Sequence, residues 1–228
     1  MGTRYFTPKL FGFLKDLAEN NDREWFKANQ EAYENYVREP ALEFINDFTG
    51  PLKGISEFFV TDSRTVGGSL FRIQRDTRFS KDKTPYKTNT GLHFRHERAR
   101  DAHAPGFYLH LEPRRNFFGV GLWRPETKAA YAIRERIADE PDRWTSIMSA
   151  PAFANRFTLE GDSLVRPPKG FDPEHDLIDD LKRKDFIATT SVTQKEVLAA
   201  NFMDTFEELC RAGAGYMHFL CDAVGVEF

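Results

Sequence analysis

The sequence predicts an α+β fold, an antiparallel or mixed β-sheet flanked by N-terminal and C-terminal helices, on three observations. Apolar residues recur at helical spacing through the first quarter of the chain. In the middle they alternate with polar residues, and two such runs are joined by a short turn-rich loop. Towards the end helical spacing returns, and the order helices, strands, helices is that of α+β architecture.

The elements follow in order. Thr7-Pro8 starts a helix, because Thr offers a cap and Pro fits the first helical position. Phe11, Leu14 and Leu17 form its apolar face until Asn20-Asn21-Asp22. Asp22 caps a second helix with Trp25, Phe26, Tyr33, Tyr36 and Val37 as its buried stripe. Pro40 starts a third, carrying Leu42, Ile45 and Phe48 to a stop at Gly50-Pro51. Phe71 and Ile73 alternate with Arg72 and Gln74, which predicts a strand; Leu92 and Phe94 alternate with His93 and Arg95 in the same way.

Runs 107–112 and 117–123, separated by Pro113-Arg114-Arg115-Asn116, read as an antiparallel hairpin. Phe107, Leu109 and Leu111 face Phe118, Val120 and Leu122; Tyr108 and His110 lie beside Gly119 and Gly121 on the other face. Glycine in a strand marks a close approach by something else, a neighbouring helix or a ligand. Pro125 opens a helix ended by Pro141, Trp144, Ile147 and Met148 continue in a short one, and residues 151–157 form a further turn. Residues 159–164 read as a small hairpin and residues 174–184 as a short helix. A last helix from about Gln194 carries Val197, Leu198, Phe202, Phe206 and Leu209, with Gly213 and Gly215 as points of interruption.

With 228 residues and no linker or repeat, the chain is expected to form a single domain over residues 1–228. Its 22 Phe predict a core of aromatic rings. A net charge of −3 offers no general attraction to nucleic acid or anionic membrane. Cys210 and Cys221 fit no metal spacing and read as core thiols. Absence of a leader, of a span of ~20 apolar residues and of a disulfide framework points to the cytoplasm.

Residues 72–87 (RIQRDTRFSKDKTPYK) concentrate the chemistry: Arg72, Arg75, Arg78, Lys81, Lys83 and Lys87 against Asp76 and Asp82. Arginine forks suit carboxylate or phosphate, and Thr77, Ser80, Thr84 and Tyr86 add hydroxyls. Arg75-Asp76 and Lys81-Asp82 could equally be internal pairs that pin a loop. The segment matches neither a phosphate-loop nor a metal motif, and its cations would repel a bound cation, so no metal is expected.

The stretch SLFRIQRDTRFSKDKTPYKTNTGLHF resembles the signature of a widespread bacterial family known only as a conserved hypothetical protein, a domain of unknown function. Phe13-Leu14, Asn20-Asn21, Glu24-Trp25-Phe26, Tyr108-Leu109-His110-Leu111, Gly121-Leu122-Trp123-Arg124-Pro125 and Lys169-Gly170-Phe171 are similar to other parts of its pattern. The resemblance spans nearly the whole chain and brings no catalytic residue, cofactor or substrate.

The proton-transfer candidates are Asp76, His110 and Tyr108, with His93 beside them on a second strand. The leading expectation is a pocket for a phosphorylated or carboxylated small molecule. Its wall is the basic segment, with Arg72, Arg75, Arg78, Lys81, Lys83, Tyr86, Lys87 and His93 as ligand-binding residues. Its floor is the Tyr108/His110/Gly119/Gly121 face. Hydrolysis or transfer at a phosphate ester would suit such a site. Two alternatives stand beside it: small-footprint nucleic-acid binding with Phe79 and Tyr86 stacking on bases, and a structural or partner-binding module in which the Arg/Asp network only orders a loop.

Overall fold

The computed structural model describes residues 2–98 and 104–228. The first quarter is helical, as its spacing predicts: α1 (Pro8–Glu19), α2 (Arg23–Ala28), α3 (Gln30–Tyr33), α4 (Glu39–Asp47) and α5 (Thr49–Lys53). Pro8 occupies the first turn of α1, and the Asp22 carboxylate accepts the backbone N–H groups of Glu24 and Trp25 at the start of α2. Residues Glu34–Arg38 form a π turn directly before Pro40. Proline has no N–H to return to Tyr36, and the widened turn falls where that bond is missing. Gly50-Pro51 does not stop the chain as expected. Both residues lie inside α5, where proline in the first turns leaves helical bonds intact.

The sheet has six antiparallel strands in the order β1-β2-β3-β4-β6-β5. They are β1 (Phe59–Val60), β2 (Thr90–His96), β3 (Gly106–Leu111), β4 (Phe117–Leu122), β5 (Thr158–Glu160) and β6 (Phe186–Ser191). The hairpin β3–β4 is in the register the sequence implies, with Tyr108 opposite Gly119 and Leu109 opposite Phe118. Two expectations fail here. Residues 71–74 alternate in burial but make no continuous strand, only isolated bridges Leu70–Leu92 and Gln74–Tyr86. Residues 159–164 do not fold back on themselves; β5 pairs with β6 instead. Strand β6 occupies the interior of the sheet although no strand was expected there.

The remaining helices are α6 (Thr127–Asp139), α7 (Pro141–Ser149), α8 (Pro151–Ala154), α9 (Ile178–Leu181), α10 (Gln194–Val197) and α11 (Phe202–Val224). Helix α9 is much shorter than the expected helix over residues 174–184. A capping box between Thr193 and Glu196 opens α10, and the long C-terminal helix begins only at Phe202. Gly213 does not interrupt α11. A Cβ there would stand 3.2 Å from the Val120 side chain, so its bareness lets the helix lie close on β4.

Core packing rests on phenylalanine. The Phe206 ring meets Phe44, Phe48, Phe94 and Phe118, joining α4, the residue between α4 and α5, α11 and the inner face of the sheet. Each fully buried ring of this kind contributes roughly 1.5–3 kcal/mol relative to exposure. Cys210 and Cys221 are free and buried, and burial pushes the Cys221 thiol up to about 12. No helix among the described residues is long and apolar enough to cross a membrane.

Candidate functional site

The basic segment closes on the isolated antiparallel bridge Gln74–Tyr86. The Arg75 N–H donates to Pro85 O at 2.8 Å and the Lys87 N–H donates to Ile73 O at 2.8 Å. Residues 76–84 form the loop between them. Asn21, from the α1–α2 junction, holds the far side of this bridge: its side-chain amide donates to Tyr86 O and accepts from the Tyr86 N–H, both at 3.0 Å. The Tyr86 ring stacks on Phe26 with centroids 4.1 Å apart.

Within the loop most charges are matched locally. Arg75 Nη1 donates to the Asp82 carboxylate and to the Thr84 hydroxyl. Arg78 grips Asp76 through Nε and Nη2, at 2.9 and 2.6 Å. Lys83 Nζ donates to Thr77 O at 2.8 Å, and Lys87 Nζ to Arg72 O at 2.8 Å. The side-chain hydrogen bond from Arg78 holds the Asp76 carboxyl down at about 2. The Thr84 backbone N–H and then Arg75 do the same for Asp82. Both stay ionised at neutral pH, and the Asp76 carboxylate is engaged by Arg78. Arg72 and Lys81 form no ion pair among the described residues.

Between this loop and the start of α2 lies a cleft of about 720 Å³, lined by Asn21, Asp22, Arg23, Glu24, Gln74, Arg75, Thr77, Lys83, Pro85 and Tyr86. Arg75, Lys83 and Tyr86 of the expected ligand-binding set therefore meet there. Arg78 is not among the lining residues, and Phe79 beside it is 96% exposed. Tyr86 is a wall rather than a stacking platform, because Phe26 already occupies one face of its ring.

Tyr108, His110 and His93 lie elsewhere, on the face of the sheet opposite the phenylalanine core. The side-chain alternation of strands places Gly91 and His93 of β2 beside Gly106, Tyr108 and His110 of β3, with Asn89 and Glu112 just beyond the paired residues. His110 Nε2 and Glu112 Oε2 are 3.1 Å apart, and Tyr108 Oη lies 3.1 Å from His110 Nδ1. Asn89 Nδ2 approaches the same Nδ1 at 3.4 Å. The His110 ring stacks on Phe117 with centroids 4.6 Å apart. Burial pushes Tyr108 up to about 12 and lowers His110, an effect the Glu112 hydrogen bond partly opposes.

Of the two hairpin glycines, Gly121 is closely approached by Phe186 O of β6 and by the Tyr216 ring of helix α11. Gly119 has the Tyr108 and Thr189 side chains at ordinary contact distance, while Gly91 and Gly106 are instead covered by side chains of the adjoining strand. A Cβ at Gly106 would stand 2.1 Å from His93 Nε2, and one at Gly91 would stand 2.6 Å from Tyr108 Oη. His93, expected on a half-exposed face, is buried, with Phe71 and Tyr108 in edge contact. Its Nδ1 has no hydrogen-bond partner, and burial holds the ring neutral with a pKa of about 4. His93 is therefore not placed to meet a ligand directly.

Cleft and sheet face are joined through contacts. Lys87 Nζ sits 5.5 Å above the Phe71 ring, and Phe71 packs against Tyr108 with centroids 5.8 Å apart. The expected wall and floor are thus two neighbouring features rather than one pocket.

Sequence reasoning missed Asn21, Arg23, Asn89 and Glu112. Glu112 carried a signal, since it is two residues from His110 and so shares its strand face. Asn21 carried none, because its partner is Tyr86, 65 positions away. Among the described residues no group of three or more His, Cys, Asp and Glu is arranged to hold a metal ion.

The chain belongs to the conserved hypothetical protein family DUF2461, whose model matches residues 9–219. No curated protein matches it.

Proposed function

We propose that the protein binds a small phosphorylated or carboxylated molecule in the cleft between α2 and the charged loop. The observation that carries this reading is the state of Arg75. Asp82 and Thr84 engage its Nη1, which fixes the side chain, while among the described residues Nε and Nη2 keep their donors for another acceptor. A guanidinium held in this way loses less freedom when it grips a carboxylate or phosphate. Lys83 Nζ spends one donor on Thr77 O and keeps two, and Arg23 adds a third cation to the lining.

Asp22 and Glu24 face the same cleft. Their charges limit its pull on extended polyanions, which favours a compact ligand with one or two negative groups over a nucleic-acid strand.

Thermal unfolding in inorganic phosphate, sulfate and a nucleotide panel tests the reading. A ligand at ~100 times its Kd stabilises the native state by about 2.7 kcal/mol. The wild type should be stabilised by at least one of these anions. The double variant Arg75→Gln, Lys83→Gln should lose the response, and Arg78→Gln should keep it. Equal responses in all three proteins, or none in any, would overturn the proposal.

A further inference from the structure

A second cavity, of about 370 Å³, lies between the turn of the β3–β4 hairpin and the end of β6. Arg114 and Arg115 of the turn line it, and both are exposed. Neither forms an ion pair among the described residues. Arg114 stands at φ 72°, in the left-handed region where a residue with a side chain is strained. Glycine would suit that position better, so the arginine works against the turn it occupies.

Asn116 lines the same cavity although it is only 7% exposed. Its Oδ1 accepts the Glu112 N–H at 3.1 Å, which fixes the amide and leaves both Nδ2 protons without a partner among the described residues. Strand pairing sets Ser191 opposite Phe117 and Thr189 opposite Gly119, so both hydroxyls share the sheet face below the turn. Neither has a hydrogen-bond partner among the described residues. Glu160 follows on β5, opposite Ile187. The Phe117 ring offers little to a flat aromatic ligand, because His110 stacks on it and the Arg115 guanidinium lies 5.5 Å over it. Away from the arginines, the cavity is thus lined mainly by groups that bond to hydroxyls.

We propose that this cavity binds a small polyhydroxylated anion, a sugar phosphate or a sugar acid. Arg114, Arg115 and Asn116 Nδ2 donate to its phosphate or carboxylate. Ser191 and Thr189 bond to its hydroxyls, and Glu160 accepts from one of them. The site shares no lining residue with the Arg75–Lys83 cleft and stands or falls independently of it.

Isothermal titration calorimetry tests the proposal with four probes: glucose-6-phosphate, gluconate, neutral glucose and inorganic phosphate. The titrations use the full chain carrying Arg75→Gln and Lys83→Gln, so that the first cleft does not contribute. In that protein at least one of the two sugar anions should bind ~10-fold more tightly than glucose or inorganic phosphate. Adding Arg114→Gly and Arg115→Gln should weaken its binding at least ~10-fold. The melting temperature should stay essentially level, since both side chains are exposed and glycine suits the left-handed turn. Adding Thr189→Val and Ser191→Ala instead should weaken the sugar anion by about the same factor and leave inorganic phosphate unaffected.

Binding of neither sugar anion would overturn the proposal. So would binding that survives the loss of both arginines, or a sugar anion held no more tightly than inorganic phosphate. Indifference to the Thr189 and Ser191 substitutions, in protein with an unchanged melting temperature, would contradict the polyhydroxylated ligand in the same way.

Discussion

The loop of residues 76–84 and the outer face of the sheet are both rich in polar groups, yet solvent treats them differently. In the loop, Asp76 and Asp82 are exposed and their pairs with Arg78 and Arg75 stand in water. On the sheet face, Tyr108, His110 and Glu112 are half-buried and His93 is fully buried. Exposed pairs gain little over hydration, so charge density in the loop is weak evidence of a stabilising role. Buried groups must be satisfied or pay for isolation, so each bond on the sheet face carries more consequence. The two regions differ in access to solvent more than in the number of their polar groups.

The largest expected difference between the two regions is in pH response. His93 falls from an ordinary 6.5 to about 4 in the folded protein, chiefly through burial. Between those values the unfolded chain binds the proton and the native state does not. Stability is therefore full above pH ~6.5 and declines as pH falls towards ~4, by on the order of 3 kcal/mol. His96 and His110 are also lowered by burial and add to the same trend. Asp76 and Asp82, held at about 2, contribute stability above the usual carboxylate range and lose it only as pH falls from 3.8 towards 2. Urea unfolding at pH 7 and pH 4.5 should show the decline, and His93→Gln should flatten it. A wild type equally stable at both values would remove the contrast.

Packing gives the next largest effect. Gly106→Ala would place a methyl group 2.1 Å from His93 Nε2, in a region that cannot yield freely. Its expected cost is ~1–3 kcal/mol, as for other overpacked interiors. Gly12→Ala, in α1 with nothing within 4 Å of the new Cβ, serves as the control and should be neutral or stabilising. Equal effects at both positions would show that the sheet face is looser than its geometry implies.

The smallest effect on stability should come from the loop. Asp82→Asn weakens the hold on Arg75 without emptying any buried space, so the melting temperature should stay essentially unchanged. The same variant frees Arg75 to move, and its stabilisation by phosphate should fall below that of the wild type. A large drop in melting temperature with an intact phosphate response would reverse the roles assigned to the loop.

Much of this fold is written in local pattern. The caps at Pro8 and Asp22 and the hairpin β3–β4 follow from short-range rules, and the structure has them where the spacing requires. Strand β6 is not among the expected elements although Phe186 and Ala188 alternate with Ile187 and Thr189; it lies between the helices expected over residues 174–184 and from about Gln194. The extended stretch at 71–74 failed as a strand because strands are completed by partners, and its partner offers only isolated bridges. The site residues divide in the same way. Arg75 and His110 announce themselves by type, while Asn21 and Phe71 matter through contacts that the chain makes only after folding.

The central claim is that the cleft beside Arg75 receives a small anion. A high-resolution crystal structure of the protein grown or soaked in phosphate tests it most directly. The account predicts an ordered phosphate bonded to Arg75 Nε or Nη2 and to Lys83 Nζ, with the Asp82 contact at Nη1 retained. A cleft holding only water, with phosphate ordered elsewhere or nowhere, would contradict it.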